Sequence, residues 1–387
     1  MKKILLFPLD MPGYAIKLGV FPLTFTFTEL QKHYAIERMN DALSNKEKTL
    51  WFYPIVEGGA GSSFGGGVGI KAIDLFHEKY QLGAYYKIHI NLDQYAHASF
   101  GKDNAFSIFD KPVSYEAITD FQRLTSVDYY GIGNSSSRRN HSQYLINNIN
   151  GTFQLSIMPV KYFSIAPHVG FSGSDTGKGH GGGHPSIETV FPRSSLVGFD
   201  KWIEYFDAGI RIANDTTGNV FQPRKGGTRA FTFDHFQNFG AGSYNYNQYA
   251  FDIWQYIPLW NPCITLAIHN GWTFEQASGA SQIPFYRLTT LDAWSMLRGF
   301  SRGRFRDKSS VIFNVEYYFP ISSMLEGIIF YDTGRVFPSV KDFSFNNFKY
   351  SAGGGFNAHI FTVMLFGFRA AYGGEGVNIM LSVTKRI

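Results

Sequence analysis

Apolar and polar residues alternate along most of this chain, and the two-residue period is the feature that most constrains its fold. Residues 311–319 carry apolar side chains at every odd position, with Asn314 and Glu316 between them. Residues 377–383 repeat the pattern, with Asn378 and Ser382 on the polar face. Successive side chains of a β-strand point to opposite faces, so this alternation predicts half-buried strands rather than helices.

The alternation predicts sixteen strands, an even number, as bacterial single-chain membrane barrels require. They lie at 50–60, 64–75, 80–90, 93–101, 115–124, 141–158, 161–173, 200–213, 226–236, 246–257, 262–273, 308–319, 325–334, 349–359, 361–372 and 376–387. Short turns at 159–161, 320–324 and 359–360 fall on one side of the predicted sheet, and long loops at 125–140, 174–199 and 274–307 fall on the other. Short periplasmic turns and long outer loops are typical of outer-membrane barrels.

The composition favours a membrane barrel over a soluble protein. The 387 residues include 38 Phe, 23 Tyr and 41 Gly, and 17% of them are charged, where a soluble chain has about 25%. No apolar run approaches the roughly 18 residues of a membrane-spanning helix. We therefore predict an all-β chain, a 16-stranded antiparallel transmembrane β-barrel over residues 49–387. A soluble β-sandwich is the alternative.

Residues 1–48 form a separate N-terminal segment. Three prolines make residues 1–27 irregular, and apolar residues at helical spacing from Thr28 to about Ser44 predict one short amphipathic helix. This helix packs at the barrel rim or lies on the membrane interface. Lys2 and Lys3 precede an apolar run that begins like a signal peptide, but no cleavage site follows. The signal peptide status stays open.

The net charge argues against a nucleic-acid partner, and the cysteine content excludes an intramolecular disulfide. The net charge is only +5 and is dispersed along the chain, which argues against nucleic acid. Cys263 is the single cysteine, so there is no intramolecular disulfide.

Neither an enzyme nor a cofactor site is indicated. Residues 61–65 match the G-x-S-x-G pattern of hydrolases, but that motif requires a strand-to-helix elbow and here it joins two strands. His180 and His184 lie on the loop 174–199 and are weak metal candidates, because a third ligand is not evident. We expect a non-enzymatic barrel without a cofactor.

An arginine in the longest predicted loop is the strongest candidate for a functional residue. The segment is Leu297-Arg298-Gly299-Phe300. A guanidinium cannot face lipid without a large cost, so Arg298 should enter a polar lumen and meet a carboxylate. Glu316 and Asp332 are predicted to face inward on the next two strands, and Asp332 lies two residues before Gly334.

The same blocks carry a family resemblance, which covers about residues 49–387. Leu297–Phe300, Gly303–Asp307, Asn314–Tyr317 and Phe330–Phe337 occur in an order and spacing similar to the BamA-like superfamily of outer-membrane insertases and translocators, also called bacterial surface antigens. The resemblance implies that the sixth outer loop folds into the lumen. Its arginine, at position 298 here, then contacts acidic residues of the twelfth and thirteenth strands, at positions 316 and 332.

The resemblance also implies a location, partners and a class of activity. These are the Gram-negative outer membrane, its lipids and lipopolysaccharide, and protein or lipid insertion or translocation with periplasmic or lipoprotein subunits. Family translocators capture substrate with periplasmic POTRA domains, whereas residues 1–48 do not have that pattern, so the chain resembles the POTRA-less branch. A passive pore or structural scaffold is the alternative function. Substrate and oligomeric state stay open.

Overall fold

A computed structural model describes residue 41 and residues 43–59, 62–179, 183–219, 223–240, 242–322, 324–360 and 363–383. The predicted N-terminal helix lies almost entirely outside these residues.

The described residues form eighteen strands and four short helical segments. The strands are β1 (Leu50–Gly59), β2 (Ser62–Leu75), β3 (Tyr80–His89), β4 (Gln94–Ile108), β5 (Lys111–Tyr129), β6 (Ser142–Val160), β7 (Phe163–Lys178), β8 (Ile203–Asp215), β9 (Gly226–Phe239), β10 (Tyr246–Pro258), β11 (Thr265–Ala277), β12 (Thr289–Leu291), β13 (Phe305–Asp307), β14 (Ser309–Pro320), β15 (Leu325–Phe337), β16 (Lys349–Ile360), β17 (Val363–Tyr372) and β18 (Val377–Val383). One α-helical turn, α1 (Ile187–Val190), and three 3-10 turns, Arg138–Asn140, Arg193–Ser195 and Val340–Asp342, lie in the long loops.

Sixteen of the strands form one antiparallel sheet in chain order, from β1 to β11 and then from β14 to β18. The predicted sixteen-stranded antiparallel sheet is confirmed. β12 and β13 pair only with each other, as a small hairpin inside the loop between β11 and β14. We call that loop, residues 278–308, loop six.

The main departure from the predicted strands is at β4 and β5. Residues 102–114 were expected to connect them, yet both strands continue to a tight turn at Phe109 and Asp110. The register shifts between Lys102 and Phe106, and Asn104 has a φ of 51°. A bulge inserts an extra residue and breaks the two-residue period, so alternation alone ends these strands too early.

Apolar side chains cover the outward face of the sheet. Val315, Ile329 and Tyr331 are exposed on it, while Glu316 and Asp332 point inward and are buried. Lipid tails rather than water satisfy such an apolar face. Among the described residues, no helix is long and apolar enough to cross a membrane.

The first and last strands of the sheet are neighbours in space. Cα atoms of β1 and β18 come within 8 Å of each other. Across the described parts of the two strands, no β-ladder joins them. The sheet therefore curls so that its two edges come together at a seam, with no ladder across the described residues of β1 and β18.

Apolar clusters fill the interior at the end that carries the long loops. Phe285 of loop six packs with Tyr129 of β5 and Tyr144 of β6. Leu288 joins a second cluster that contains Tyr205 of β8. Loop six thus spans the inside of the sheet, and this position brings Arg298 to the candidate site.

Candidate functional site

The tip of loop six is held in shape by its own backbone and by one carboxylate. The Asp292 side chain accepts hydrogen bonds from the backbone N–H groups of Trp294 (2.8 Å), Ser295 (3.0 Å) and Gly303 (2.6 Å). Leu297 donates its backbone N–H to the Asp292 carbonyl (2.7 Å). Asp292 therefore closes the segment that presents Arg298. The sequence offered no specific signal for this role.

The structure brings Arg298, Glu316 and Asp332 together, and we call these three residues the Arg298 clasp. The guanidinium donates from Nε to Asp332 Oδ2 (3.0 Å), from Nη2 to Asp332 Oδ1 (2.5 Å) and from Nη1 to Glu316 Oε1 (2.6 Å). It also lies over the Phe330 ring, 3.6 Å from its centroid. The fork of the guanidinium matches the carboxylate, and this bidentate form is the strong, directional one.

Neighbouring side chains complete the hydrogen bonding of Asp332. Asn314 donates to Asp332 Oδ1 (2.8 Å), and Ser351 of β16 donates to Oδ2 (3.0 Å). The Arg298 backbone N–H also reaches Oδ2 (3.1 Å). The two-residue period places Asn314 at an inward position of β14, whereas the sequence does not predict the contact of Ser351 with Asp332. These added donors offset the loss of water around a fully buried carboxylate.

Electrostatics favour the charged form of Arg298 despite its burial. Burial alone lowers the pKa of the guanidinium, but the hydrogen bonds and charges of Asp332 and Glu316 outweigh it, so the pKa lies above its ordinary value. The Tyr318 hydroxyl donates to Glu316 Oε2 (2.5 Å). The second carboxylate is therefore also partnered on both of its oxygens.

The role of Gly299 is a close contact rather than a special backbone conformation. A glycine at a loop tip suggests a tight turn through the left-handed region, but the φ of Gly299 is not in that region, and Met296 (φ 70°) adopts it instead. A Cβ on Gly299 would lie 2.5 Å from both the Gly373 nitrogen and the Ser351 Cβ. Glycine is needed here for close approach to the wall.

Gly334 makes room for loop six in the same way. A Cβ there would lie 2.7 Å from a methyl group of Leu291, in the hairpin strand β12. Leu291 belongs to a buried cluster that includes Leu297 and Phe300, packed on Val336 of β15. The four residues 297–300 and Gly334 thus share one contact region on the inner wall.

Loop six also contacts the last strand. Asn378 of β18 donates its side-chain amide to the carbonyl oxygens of Arg298 (2.9 Å) and Phe300 (3.2 Å). The clasp segment is therefore connected to β14, β15, β16 and the edge strand of the sheet.

The histidine candidates do not assemble a metal centre in the described part of the chain. His180 lies outside the described residues. The His184 ring packs on His141, with ring centroids 3.6 Å apart, and His141 Nε2 lies 2.8 Å from Asp128 Oδ1. Among the described residues, no group of three His, Cys, Asp or Glu side chains is placed to hold a metal ion.

The hydrolase-like segment has a different geometry from a nucleophile elbow. Ser63 lies within β2, and its hydroxyl donates to Asn91 Oδ1 (2.6 Å). The strand continues to Leu75 rather than turning into a helix, so the strand-to-helix elbow is absent at this serine.

Comparisons with known proteins agree on the class of barrel. The model of the Omp85 superfamily domain matches residues 59–360. No curated protein matches the chain significantly in sequence.

Several solved structures share the fold at low sequence identity. BamA from Haemophilus ducreyi lacking POTRA domains 1-3 has a TM-score of 0.67 at 15% identity, covering 86% of this chain and 69% of that one. CdiB from Escherichia coli has a TM-score of 0.54 at 10% identity, covering 87% and 62%. CdiB from Acinetobacter baumannii has 0.53 at 9%, covering 87% and 60%. The chain thus spans about two thirds or less of their length, and at these identities the likeness shows the fold alone.

Proposed function

The chain belongs to the Omp85 superfamily and is an integral β-barrel of the bacterial outer membrane, and from this premise we propose that it inserts or translocates protein or lipid at that membrane. In this proposal the Arg298 clasp holds loop six inside the lumen, and its release accompanies the passage of substrate. The chain works as a transporter or insertase rather than as an enzyme.

The observation that carries the proposal is the path of loop six from one wall to the other. Arg298 is bound to β14 and β15, while Arg306 of the same loop donates to the Phe285 carbonyl (2.9 Å) beside β5 and β6. A loop that crosses the lumen is what a gated translocator needs at rest, and a permanently open pore has no need of it.

Breaking the clasp would release the Arg298 end of the loop in one step, because its charges are buried. The Arg298, Glu316 and Asp332 side chains are at most 7% exposed. Removing one partner leaves an uncompensated charge in a confined space, so docked and released loops form two discrete states.

The seam between β1 and β18 supplies a second part of the mechanism. The two edge strands lie within 8 Å of each other, and no ladder joins them across their described residues. An edge strand is a place where another strand can add to a sheet. We propose that substrate or membrane lipid is handled at this seam, and that loop six controls it through Asn378.

A passive pore or scaffold is the second candidate, and one observation favours it. A polar cavity of about 750 Å³ lies on the inner wall of β2 to β6, lined by residues that include Lys71, His97, Lys102, Asp103 and Glu116. Such a cavity would serve as a water-filled vestibule.

Single-channel conductance in planar bilayers separates the two candidates. We expect the purified wild type to show small or rare openings and Arg298→Ala to show larger and more frequent ones. Arg302→Ala is the matched control, since Arg302 lies on the same loop, stacks on Trp294 and belongs to no ion pair of the clasp. A large, steady wild-type conductance that Arg298→Ala leaves unchanged would contradict the gated translocator.

Partner subunits are tested separately. We propose that periplasmic or lipoprotein subunits assist the barrel and that outer-membrane lipids and lipopolysaccharide surround it. Affinity purification from native membranes in mild detergent should recover a stoichiometric subunit, and loss of that subunit should abolish function in cells. Recovery of the barrel alone from several detergents would contradict a stable complex.

A further inference from the structure

A second arginine of loop six makes contacts that the Arg298 clasp does not explain. Arg304 is 4% exposed and precedes the hairpin strand β13. It donates from Nε to both carboxylate oxygens of Glu375 (3.0 and 2.8 Å) and from Nη2 to Glu375 Oε1 (2.7 Å). This ion pair has several hydrogen bonds. Its carboxylate, Glu375, lies in a different part of the chain from Glu316 and Asp332.

The same guanidinium also binds the loop between β5 and β6. Nη1 donates to the Ser136 hydroxyl (2.9 Å), and Nη2 donates to the Ser136 carbonyl (2.8 Å). The group lies over the Tyr130 ring, 5.1 Å from its centroid. All three guanidinium nitrogens are therefore used, and Arg304 joins three separate loops.

The partner Glu375 lies in the turn that precedes the last strand. This terminal turn, residues 373–376, contains three glycines, and Gly374 and Gly376 have φ values of 86° and 128°. Glycines give the turn little stiffness of its own. Beyond the β17–β18 ladder, which ends at the Tyr372–Val377 pair, contacts from outside hold it: the Arg304 pair, a hydrogen bond from Arg138 to the Glu375 carbonyl and the close approach of Gly373 to loop six at Gly299.

We infer that Arg304 is a positioning residue that fixes the terminal turn and, through it, the edge strand β18 against loop six. Glu375 is two residues before the start of β18, and Asn378 on that strand binds loop six at Arg298 and Phe300. The turn and the strand are thus attached to the same loop at two successive points. The effect of this attachment on the seam rests on the proposed function. The attachment itself rests only on these contacts.

The Arg304 anchor differs from the Arg298 clasp in its exposure to solvent. The Glu375 side chain is 24% exposed, whereas the clasp carboxylates are at most 3% exposed. Salt screens partly exposed pairs much more than buried ones. Ionic strength should therefore weaken the Arg304 anchor while leaving the clasp intact.

Hydrogen–deuterium exchange on the full-length protein in detergent micelles tests the inference. We expect Glu375→Gln to speed exchange at residues 374–380 by about three- to fivefold, the scale of a partly exposed pair, with residues 297–300 as in wild type. Glu375→Asp, which keeps the carboxylate, should restore most of the protection. Arg302→Gln is the matched control on the same loop.

The salt dependence of hydrogen exchange distinguishes an ion pair from a side chain that only packs, because only the ion pair responds to ionic strength. Raising NaCl from low to molar concentration should bring wild-type exchange at 374–380 up to that of Glu375→Gln, and the variant itself should not respond. Unchanged exchange in Glu375→Gln, or an equal rise at 297–300, would overturn the inference. Failure of the conductance test with a positive exchange result would reject the gating function and leave the anchor standing.

Discussion

Arg298 meets two carboxylates and one aromatic face with a single planar group. Its three nitrogens are directed at Asp332 and Glu316, and the flat face stacks on Phe330. A lysine carries the same charge on a compact ammonium, which cannot form the fork or stack in the same way. The residue type, and not only the charge, therefore determines how firmly the loop is docked.

The first prediction is that Arg298→Lys loosens the clasp end of loop six and Arg298→Ala releases that end, while the contacts of Phe285 and Arg304 hold the rest of the loop. Losing one partner of a buried pair costs about 3–5 kcal/mol, and the lysine should lose a smaller part of this. Limited proteolysis of the folded protein, followed by mapping of cuts within 278–308, measures the docked fraction. Arg302→Lys should be cut like wild type. Equal resistance of Arg298→Ala and wild type would contradict this role of the clasp.

At the scale of elements, loop six crosses the lumen and contacts the wall at both of its ends. One end packs on β14, β15 and β16 through the Arg298 clasp and the cluster that contains Leu291 and Phe300. The other end packs on β5 and β6 through Phe285. Glycines allow the loop backbone to approach the wall closely. Close packing and ion pairs therefore both hold loop six on the wall.

A single methyl group at Gly299 should displace this element. In Gly299→Ala the new Cβ would overlap backbone at Gly373 and the Ser351 side chain, and backbone cannot move aside cheaply. We expect faster hydrogen exchange at 297–300 and altered conductance, with the barrel still folded. Gly177→Ala on β7 is the control, because no atom lies within 4 Å of its added Cβ. Wild-type exchange in Gly299→Ala would show that the loop does not need this close approach.

The whole molecule is held together by ladders between neighbouring strands rather than by loop six. Fifteen antiparallel pairings connect the sixteen strands in order, and each satisfies backbone groups that lipid cannot. The seam between β1 and β18 lacks such a ladder in the described residues. The stability of the barrel therefore depends on the fifteen ladders rather than on contacts across this part of the seam.

We accordingly expect heat-modifiable migration on gels for the wild type and for Arg298→Ala. An unboiled sample should run as a compact, faster band and a boiled sample as an unfolded, slower one, because detergent alone does not break the strand ladders. If the wild type gave a single band whose migration did not change on heating, that result would contradict a folded barrel. Loss of the fast band only in Arg298→Ala would show that the clasp contributes to the stability of the barrel.

How much was predictable depends on the range of the interaction. Alternation identified β14 and β15 and the inward direction of Glu316 and Asp332, since side-chain direction follows from the two-residue period alone. The bulge in β4 concealed the continuation of that strand, because one inserted residue cancels the period. The pattern placed Asn378 on the polar face of the last strand, but the contacts of Asn378 and Ser351 with loop six could not be predicted, because they join segments far apart in sequence.

The sequence by itself determined the all-β class, the number of strands and the set of charged residues that must avoid lipid, because these follow from local periodicity and from the cost of burying charge. Only the tertiary structure decided which groups meet. The pairing of Arg304 with Glu375 and the close approach of Gly299 to Gly373 depend on the path of a long loop across the lumen. The approach of β1 to β18 depends on the curl of the whole sheet. No pattern along the chain encodes distances of that kind.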